Sequence, residues 1–262
     1  MTAWKQAVAR AFDRADEYDG AARIQAMVAD GLAVAIAAEP LAPSPHVLEI
    51  GCGTGFLTQA LRSRVSVGPM LASDIAAAMI ARCRTRIGEV PDLHFAVMDA
   101  ERPAATAGFD LIASSLAAQW FAHLPGALAG LAALLRPGGL LAVTTLAAGT
   151  FREWDAAQDK AGRVSATPAY PTIETLRSMR FENCRTEIRL EDVRETHADG
   201  AAFLRALRAI GADTPAELAA PRSAGQLRRA LRAFDAQGAS VTYAVATCLI
   251  RRAGEPKSAR QP

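Results

Sequence analysis

Residues 47–57 read VLEIGCGTGFL: a short apolar run enters three glycines spaced two apart, at 51, 53 and 55. Few local patterns restrict a fold as strongly. The apolar run has the length of a strand buried on both faces. Glycine tolerates the positive φ of a tight turn and lets backbone approach a ligand without a Cβ in the way. A helix starting near Phe56 would present free N–H groups to that ligand. In open α/β sheets such loops sit at the carboxyl ends of strands, where ligands bind. A turn that holds no ligand is the alternative.

The rest of the chain supplies the rhythm for such a sheet. Strands are predicted at 46–50, 69–73, 93–98, 109–115 and 140–146, separated by helical segments, with RPGG at 136–139 as a turn before the fifth. Alternation of this kind predicts a doubly wound, mostly parallel sheet. The first 40 residues read as helical up to Pro40. After Thr150 the pattern becomes largely helical, with one alternating stretch at 185–193 and a last strand at 240–252. The final ten residues, AGEPKSARQP, are polar and expected to be disordered.

The glycine spacing narrows the ligand. The dinucleotide fingerprint G-x-G-x-x-G requires glycine at position 56, which is Phe, and no G-K-[S/T] of a P-loop occurs. A nicotinamide-dependent oxidoreductase is thereby disfavoured. Asp74 ends the second strand, where a carboxylate accepts both hydroxyls of a ribose. Asp99 follows the third strand, placed to meet an adenine edge. A net charge of +2 argues against bulk nucleic-acid binding. Cys52, Cys83, Cys184 and Cys248 have neither metal-ligand spacing nor a histidine cluster, and read as reduced thiols. No signal peptide is expected from the charged N-terminus and no apolar run suffices to span a membrane, so a cytoplasmic protein is expected.

VLEIGCGTG, Asp74, MDAE at 98–101 and FDLI at 109–112 together resemble the class I S-adenosylmethionine-dependent methyltransferases. The resemblance implies a Rossmann-like, mostly parallel seven-stranded sheet with a helical cap insertion. It implies S-adenosylmethionine as cofactor, held by Tyr18, Glu49, Gly51, Gly53, Gly55, Asp74, Ile75, Met79, Asp99, Ala100 and Ser115. Residues 1–40 would form a helical lid and 41–150 the cofactor-binding core. Residues 151–238 would be the cap and substrate region with one core strand, 239–252 the last core strand and 253–262 the tail.

A narrower resemblance runs from about Phe12 to Ile250. AFDRADEYD (11–19), FDLIASSLAAQWFAHLPGAL (109–128), VTTLAAGTFREW (143–154), FLRALRAIGA (203–212) and VTYAVATCLI (241–250) are similar to the BioC family of malonyl-acyl-carrier-protein O-methyltransferases. The chain departs from it at Ser114-Ser115, where Ser-Asn is expected, and in an N-terminal segment about one residue shorter. The resemblance implies methyl transfer to the free carboxylate of a malonyl thioester on an acyl carrier protein, in biotin synthesis. A carboxylate is already a nucleophile, so no general base is expected. His46, His94, His123 and His197 are assigned structural or surface roles. Tyr18 is expected to close over the cofactor as an orienting residue; an ordinary helix aromatic is the alternative. Gln119 and Trp120, after the fourth strand, would wall the acceptor pocket, and Tyr243 reads as core. On a helix near 200–210, Phe203, Leu207 and Ile210 share one face, with Arg205 and Arg208 opposite. Those arginines fit an acidic carrier protein, a phosphopantetheine phosphate or the malonyl carboxylate, or else a solvated face; Arg228, Arg229 and Arg232 repeat the pattern. A methyltransferase for another small acid and a non-catalytic assembly factor of the same fold remain open.

Overall fold

The structure is a computed structural model that describes residues 2–14, 18–165, 167–211 and 223–254. Most of the tail expected to be disordered, residues 255–262, lies outside the described residues.

Seven strands form one sheet in the order β3-β2-β1-β4-β5-β7-β6. They are β1 (Val47–Ile50), β2 (Met70–Asp74), β3 (Leu93–Val97), β4 (Phe109–Ser114), β5 (Leu135–Leu146), β6 (Cys184–Thr196) and β7 (Ser240–Arg252). The first five pair in parallel, and β7 enters antiparallel between β5 and β6. The order reverses at β1, where the chain steps from β3 across to β4, and the glycine loop follows β1 at that switch point. Alternate residues of the central strands point to opposite faces. Val47, Leu111 and Leu140 join a core with α3 (Arg23–Ala37), α4 (Phe56–Arg64) and α5 (Ala77–Ile87). Leu48, Ile112 and Leu141 join a second with α6 (Leu124–Ala133). Burial on both faces explains why β1 reads as an uninterrupted apolar run apart from Glu49.

The RPGG segment is not a turn before β5 but lies within it. Leu135 pairs with Phe109 and Leu140 with Leu111, so the intervening residues bulge out of the ladder. Gly138 takes φ +82, and a Cβ on Gly139 would stand 3.0–3.2 Å from three backbone carbonyl oxygens. β6 is longer than its alternating stretch suggested and carries Arg185, Glu187, Arg189, Glu191 and Arg194 along a sheet edge, a composition that discourages pairing with another chain.

A third core lies beyond the carboxyl end of the sheet. α7 (Arg152–Lys160), α9 (Gly200–Ala209) and α10 (Ala224–Asp235) pack on β7 through rings in edge and tilted contact. Phe151–Tyr243 centroids are 4.9 Å apart, Phe151–Phe203 5.4 Å, and Trp154–Phe234 5.4 Å. The short α8 (Ile173–Ser178) leads back toward β6. At the N-terminus α1 (Ala3–Asp13) and α2 (Tyr18–Ala21) cover the carboxyl ends of β1–β3. No helix among the described residues is long and apolar enough to cross a membrane.

Candidate active site

Two cavities meet under the N-terminal helices. The smaller, about 90 Å³, is built on the glycine loop and the ends of β1, β2 and β3. The larger, about 270 Å³, lies between α1–α2, the loop after β4, and the cap helices. Phe12, Tyr18, Leu116 and Trp120 line both, so the partition between them is largely aromatic.

In the smaller cavity Gly51 and Gly53 adopt φ +65 and +53. A Cβ on Gly51 would stand 2.4 Å from the Ala117 Cβ, so the loop after β4 can approach only because Gly51 has no side chain. A Cβ on Gly53 would meet nothing closer than Tyr18 Oη at 3.9 Å, and would instead intrude into the cavity. Asp74 is buried at the end of β2. Its Oδ2 accepts from Gly53 N–H and its Oδ1 from Ala76 N–H, both at 2.9 Å. Burial pushes its carboxyl from an ordinary 3.8 up to about 6, against the opposing pull of those amide bonds. The open face above Gly53, the wall of Ile75, Met79, Met98 and Ala100, and the carboxylate at the strand end fit an adenosine carrying a chain over the loop.

α1 and α2 are fastened over this cavity at both ends. Lys5 Nζ donates to Asp99 Oδ1 and Oδ2 at 2.6 and 2.7 Å and pairs with Glu101 Oε2 at 2.7 Å. Burial opposes the Lys5 charge, but the bonds to Asp99 and Glu101 outweigh it and raise the ammonium pKa. Glu101 in turn accepts from Ala122 N–H (2.9 Å) and His123 N–H (2.8 Å), just beyond Trp120. At the other end Asp19 accepts from Thr54 Oγ1 at 2.6 Å and pairs with Arg86. Tyr18 lies between these anchors. Burial, with the Asp74 and Asp19 charges, pushes its hydroxyl well above the usual phenol range, so it is a proton-bearing donor at neutral pH.

A model described as "Methyltransferase domain" matches residues 48–143. A malonyl-[acyl-carrier protein] O-methyltransferase from Magnetococcus marinus is 41% identical over 241 residues, covering 91% of this chain and 89% of that protein. The biotin biosynthesis bifunctional protein BioCD of Bordetella avium is 42% identical over 91% of this chain, which spans 50% of that protein. Among solved structures, the YcgJ protein from Bacillus subtilis aligns over 86% of this chain and 98% of its own with TM-score 0.60 at 15% identity, a likeness of fold. The chain belongs to the malonyl-[acyl-carrier protein] O-methyltransferase family. Its methyl donor is S-adenosylmethionine.

Against that family, the predicted residues sort by place. Tyr18, Gly51, Gly53, Asp74, Ile75, Met79, Asp99, Ala100 and Ser115 all line the smaller cavity. Two predicted cofactor residues do not. Glu49, 1% exposed, is turned under the loop, where Thr58 Oγ1 donates to its Oε2 at 2.6 Å and burial pushes its carboxyl well above the ordinary range. Gly55 caps α4 with φ +97, and a Cβ there would stand 2.9 Å from Cys83 Sγ, so it serves helix packing. Asp99 reaches the cavity, but both its oxygens engage Lys5.

Gln119 and Trp120 line the larger cavity, with Gln119 Nε2 donating to the Leu116 carbonyl at 2.7 Å. Tyr243 is buried and also forms part of its wall. The paired arginines separate. Arg208 lines the cavity, whereas Arg205 is exposed, 4.0 Å from Asp199. Arg208 shares the cavity with Leu204 and Leu207 because only Phe203 and Ile210 of the apolar face are fully buried; the helix lies at the cavity rim. Sequence reasoning missed Lys5, Gln25, Gln158, Arg163 and Tyr170. Lys5 had one signal, being the only lysine before Lys160. Arg163 had none, since it lies outside any periodic element, on the turn after α7.

Proposed function

We propose that the chain methylates the free carboxylate of a malonyl thioester presented by an acyl carrier protein, in biotin synthesis and in the cytoplasm. One observation carries this reading: the cofactor cavity adjoins a second cavity across an aromatic partition, and that second cavity is lined by two arginines and, among the described residues, by no Asp or Glu. An anionic acceptor suits it. When bound, S-adenosylmethionine supplies a methyl group on a cationic sulfur, which a carboxylate oxygen displaces without transfer of a proton.

The chain's own residues do the rest. Gly51 and Gly53 admit the cofactor against bare backbone, Asp74 takes the ribose hydroxyls, and Ile75, Met79 and Ala100 enclose the base beside Asp99. Phe12, Tyr18, Leu116 and Trp120 exclude water where the two cavities meet, which strips the carboxylate of the solvation that masks it. Tyr18, held in its protonated form, donates rather than accepts there. Residues 1–40 act as the lid, 41–150 as the cofactor core and 151–238 as the acceptor cap, with 239–252 closing the sheet. The exposed Arg205 on α9 and Arg228, Arg229 and Arg232 on α10 form a basic outer face suited to an acidic carrier.

The test offers malonyl-carrier protein, malonyl-CoA and free malonate in parallel and follows methyl incorporation by mass. Carrier-bound malonate should be methylated fastest, and its advantage should shrink as salt rises, because exposed charges are screened over ~10 Å at 0.1 M ionic strength. Equal rates on all three would favour a carrier-independent acid methyltransferase. Cofactor binding with no turnover would favour the assembly-factor reading.

A further inference from the structure

Two side chains of the larger cavity have their donors already spent. Gln119, in the loop after β4, gives Nε2 to the Leu116 carbonyl at 2.7 Å, and its Oε1 is shielded from solvent with no hydrogen-bond partner among the described residues. Tyr243 lies on β7 opposite Val193 of β6, so Glu195, two residues on, is its diagonal neighbour on the same face. The Tyr243 hydroxyl donates to Glu195 Oε2 at 3.2 Å, and His197 Nε2 stands 3.3 Å from the same oxygen. Burial, with the Glu195 charge, pushes the Tyr243 hydroxyl well above the usual phenol range, so it keeps the proton it donates. Each of the two residues therefore has only an oxygen to offer a ligand. Both line the larger cavity and neither lines the cofactor cavity. The wall they share includes Leu146, Phe151 and Trp154, apolar surroundings in which an unpaired polar atom is costly.

We propose that Gln119 and Tyr243 are specificity-determining residues that accept the amide N–H groups of the arm carrying the acyl thioester, with Glu195 as the positioning residue that fixes the Tyr243 hydroxyl in this sense. This rests on the malonyl-thioester reading above. The malonyl carboxylate and the thioester carbonyl have lone pairs and no polar hydrogen, so neither can serve an acceptor oxygen. The pantetheine arm of an acyl carrier protein has the missing groups, two secondary amides with one N–H each. An amide N–H that enters apolar walls loses its water and must be met by an oxygen of the protein. A thioester on a plain alkyl thiol would leave both protein oxygens unmet. An arm with ester links in place of the amides would set oxygen against oxygen. The site thus reads the arm as well as the acyl group, separately from any contact with the carrier's own surface.

The experiment offers malonyl-pantetheine and two analogues in which an ester oxygen replaces one or the other amide N–H. Wild type, Gln119→Met, Tyr243→Phe and Glu195→Gln are compared by kcat/KM, cofactor affinity and thermal melting. Each replacement should cost wild type about tenfold in kcat/KM. Gln119→Met should be indifferent to one replacement and Tyr243→Phe to the other, with cofactor affinity unchanged. Glu195→Gln, which frees the Tyr243 hydroxyl to donate, should soften only the replacement that Tyr243→Phe ignores; unchanged sensitivity there overturns its positioning role. If Tyr243→Phe does not fold with Glu195 left unpaired, the double variant Tyr243→Phe, Glu195→Gln takes its place. Variants that lose activity yet stay as sensitive to both replacements as wild type overturn the assignment, because that is what merely structural side chains would give. So does a wild type indifferent to both replacements. Failure of wild type to methylate any malonyl thioester overturns the malonyl reading instead. Affinity for pantetheine alone, measured by calorimetry with S-adenosylhomocysteine present, then decides the arm: binding that weakens in Gln119→Met and Tyr243→Phe supports it, and absent or undiminished binding overturns it.

Discussion

The two cavities are made in opposite ways. The cofactor side is read off strand ends: Ile50 to Gly53, Asp74 and Ile75, Met98 to Ala100, Ser115 to Ala117, each within a few residues of a parallel strand's carboxyl end. The acceptor side takes Phe12 and Tyr18 from the lid, Gln25 from α3, Arg163 and Tyr170 from a loop, Leu204 and Arg208 from α9, and Tyr243 from the last strand. The first is a property of the sheet, fixed wherever strands of this order stop. The second is a property of packing among aromatic side chains and can change while the sheet stays constant. A fold can therefore keep its methyl donor and exchange its acceptor.

The largest test of this division is at Gly53. Gly53→Val should abolish cofactor binding, because a branched side chain would occupy the open face over the loop and cannot easily hold φ +53. Thermal melting should show a folded protein. If the variant binds S-adenosylhomocysteine normally in calorimetry, the cavity on the strand ends is not the cofactor site and the comparison collapses.

Asp74 sharpens it. Asp74→Ala should weaken cofactor binding by about 1–3 kcal/mol, the range for hydrogen bonds to a charged group. The same residue predicts a pH dependence. A carboxyl raised to about 6 is partly protonated in the free protein at mildly acidic pH. A protonated acid is a poorer acceptor for two hydroxyls, so affinity should fall by up to about tenfold per pH unit below 6 and level off above it. The stability of the free protein should move the other way. The folded state holds this proton more tightly than the unfolded chain does, so Asp74's contribution is most favourable below its ordinary 3.8 and is lost as pH rises through about 6. Titration calorimetry and melting from pH 5 to pH 8 check both, and Asp74→Asn should flatten both curves. Affinity that rises with acidity would take Asp74 out of the ribose site.

This asymmetry also decides what could be read from sequence. The sheet, the glycine loop and Asp74 were legible because each is a local pattern: a buried strand, a turn that only glycine permits, an acid at a strand end. The same logic drew in Glu49 and Gly55, which do not line the cavity. Both belong to the motif, but β1 turns Glu49 under the loop toward Thr58, and Gly55 makes room for Cys83. The RPGG segment has turn residues yet bulges within β5, because pairing with β4 at Leu135 before it and from Leu140 after it carries the strand through. The acceptor side was less legible. Helical periodicity put Arg205 and Arg208 on one face, but Arg208 lines the larger cavity while Arg205 stands exposed beside Asp199. Arg163 sits in no periodic element at all.

The smallest expected effect concerns the lid, which belongs to both sides. Phe12 and Tyr18 touch both cavities, but Lys5 lines only the cofactor one. Its ammonium binds Asp99 and Glu101, and Glu101 also holds the backbone just after Trp120. Lys5→Met keeps the apolar stem and removes the charge. Asp99 and Glu101 then face each other without a cation, and the first turns of α1 lose their fastening. The opposite end, held by Asp19 to Thr54 and Arg86, should keep the lid folded on the core. Loosening one end of two costs less than losing the lid, so we expect about 1 kcal/mol in cofactor affinity, roughly fivefold, appearing as faster release in stopped-flow. Hydrogen exchange should rise in α1 and stay constant in α4. The acceptor KM should hardly change, since no contact to the larger cavity is removed. If KM rises more than cofactor affinity falls, Lys5 acts through Glu101 on the Trp120 partition, and the two cavities are coupled through the lid rather than merely adjacent beneath it.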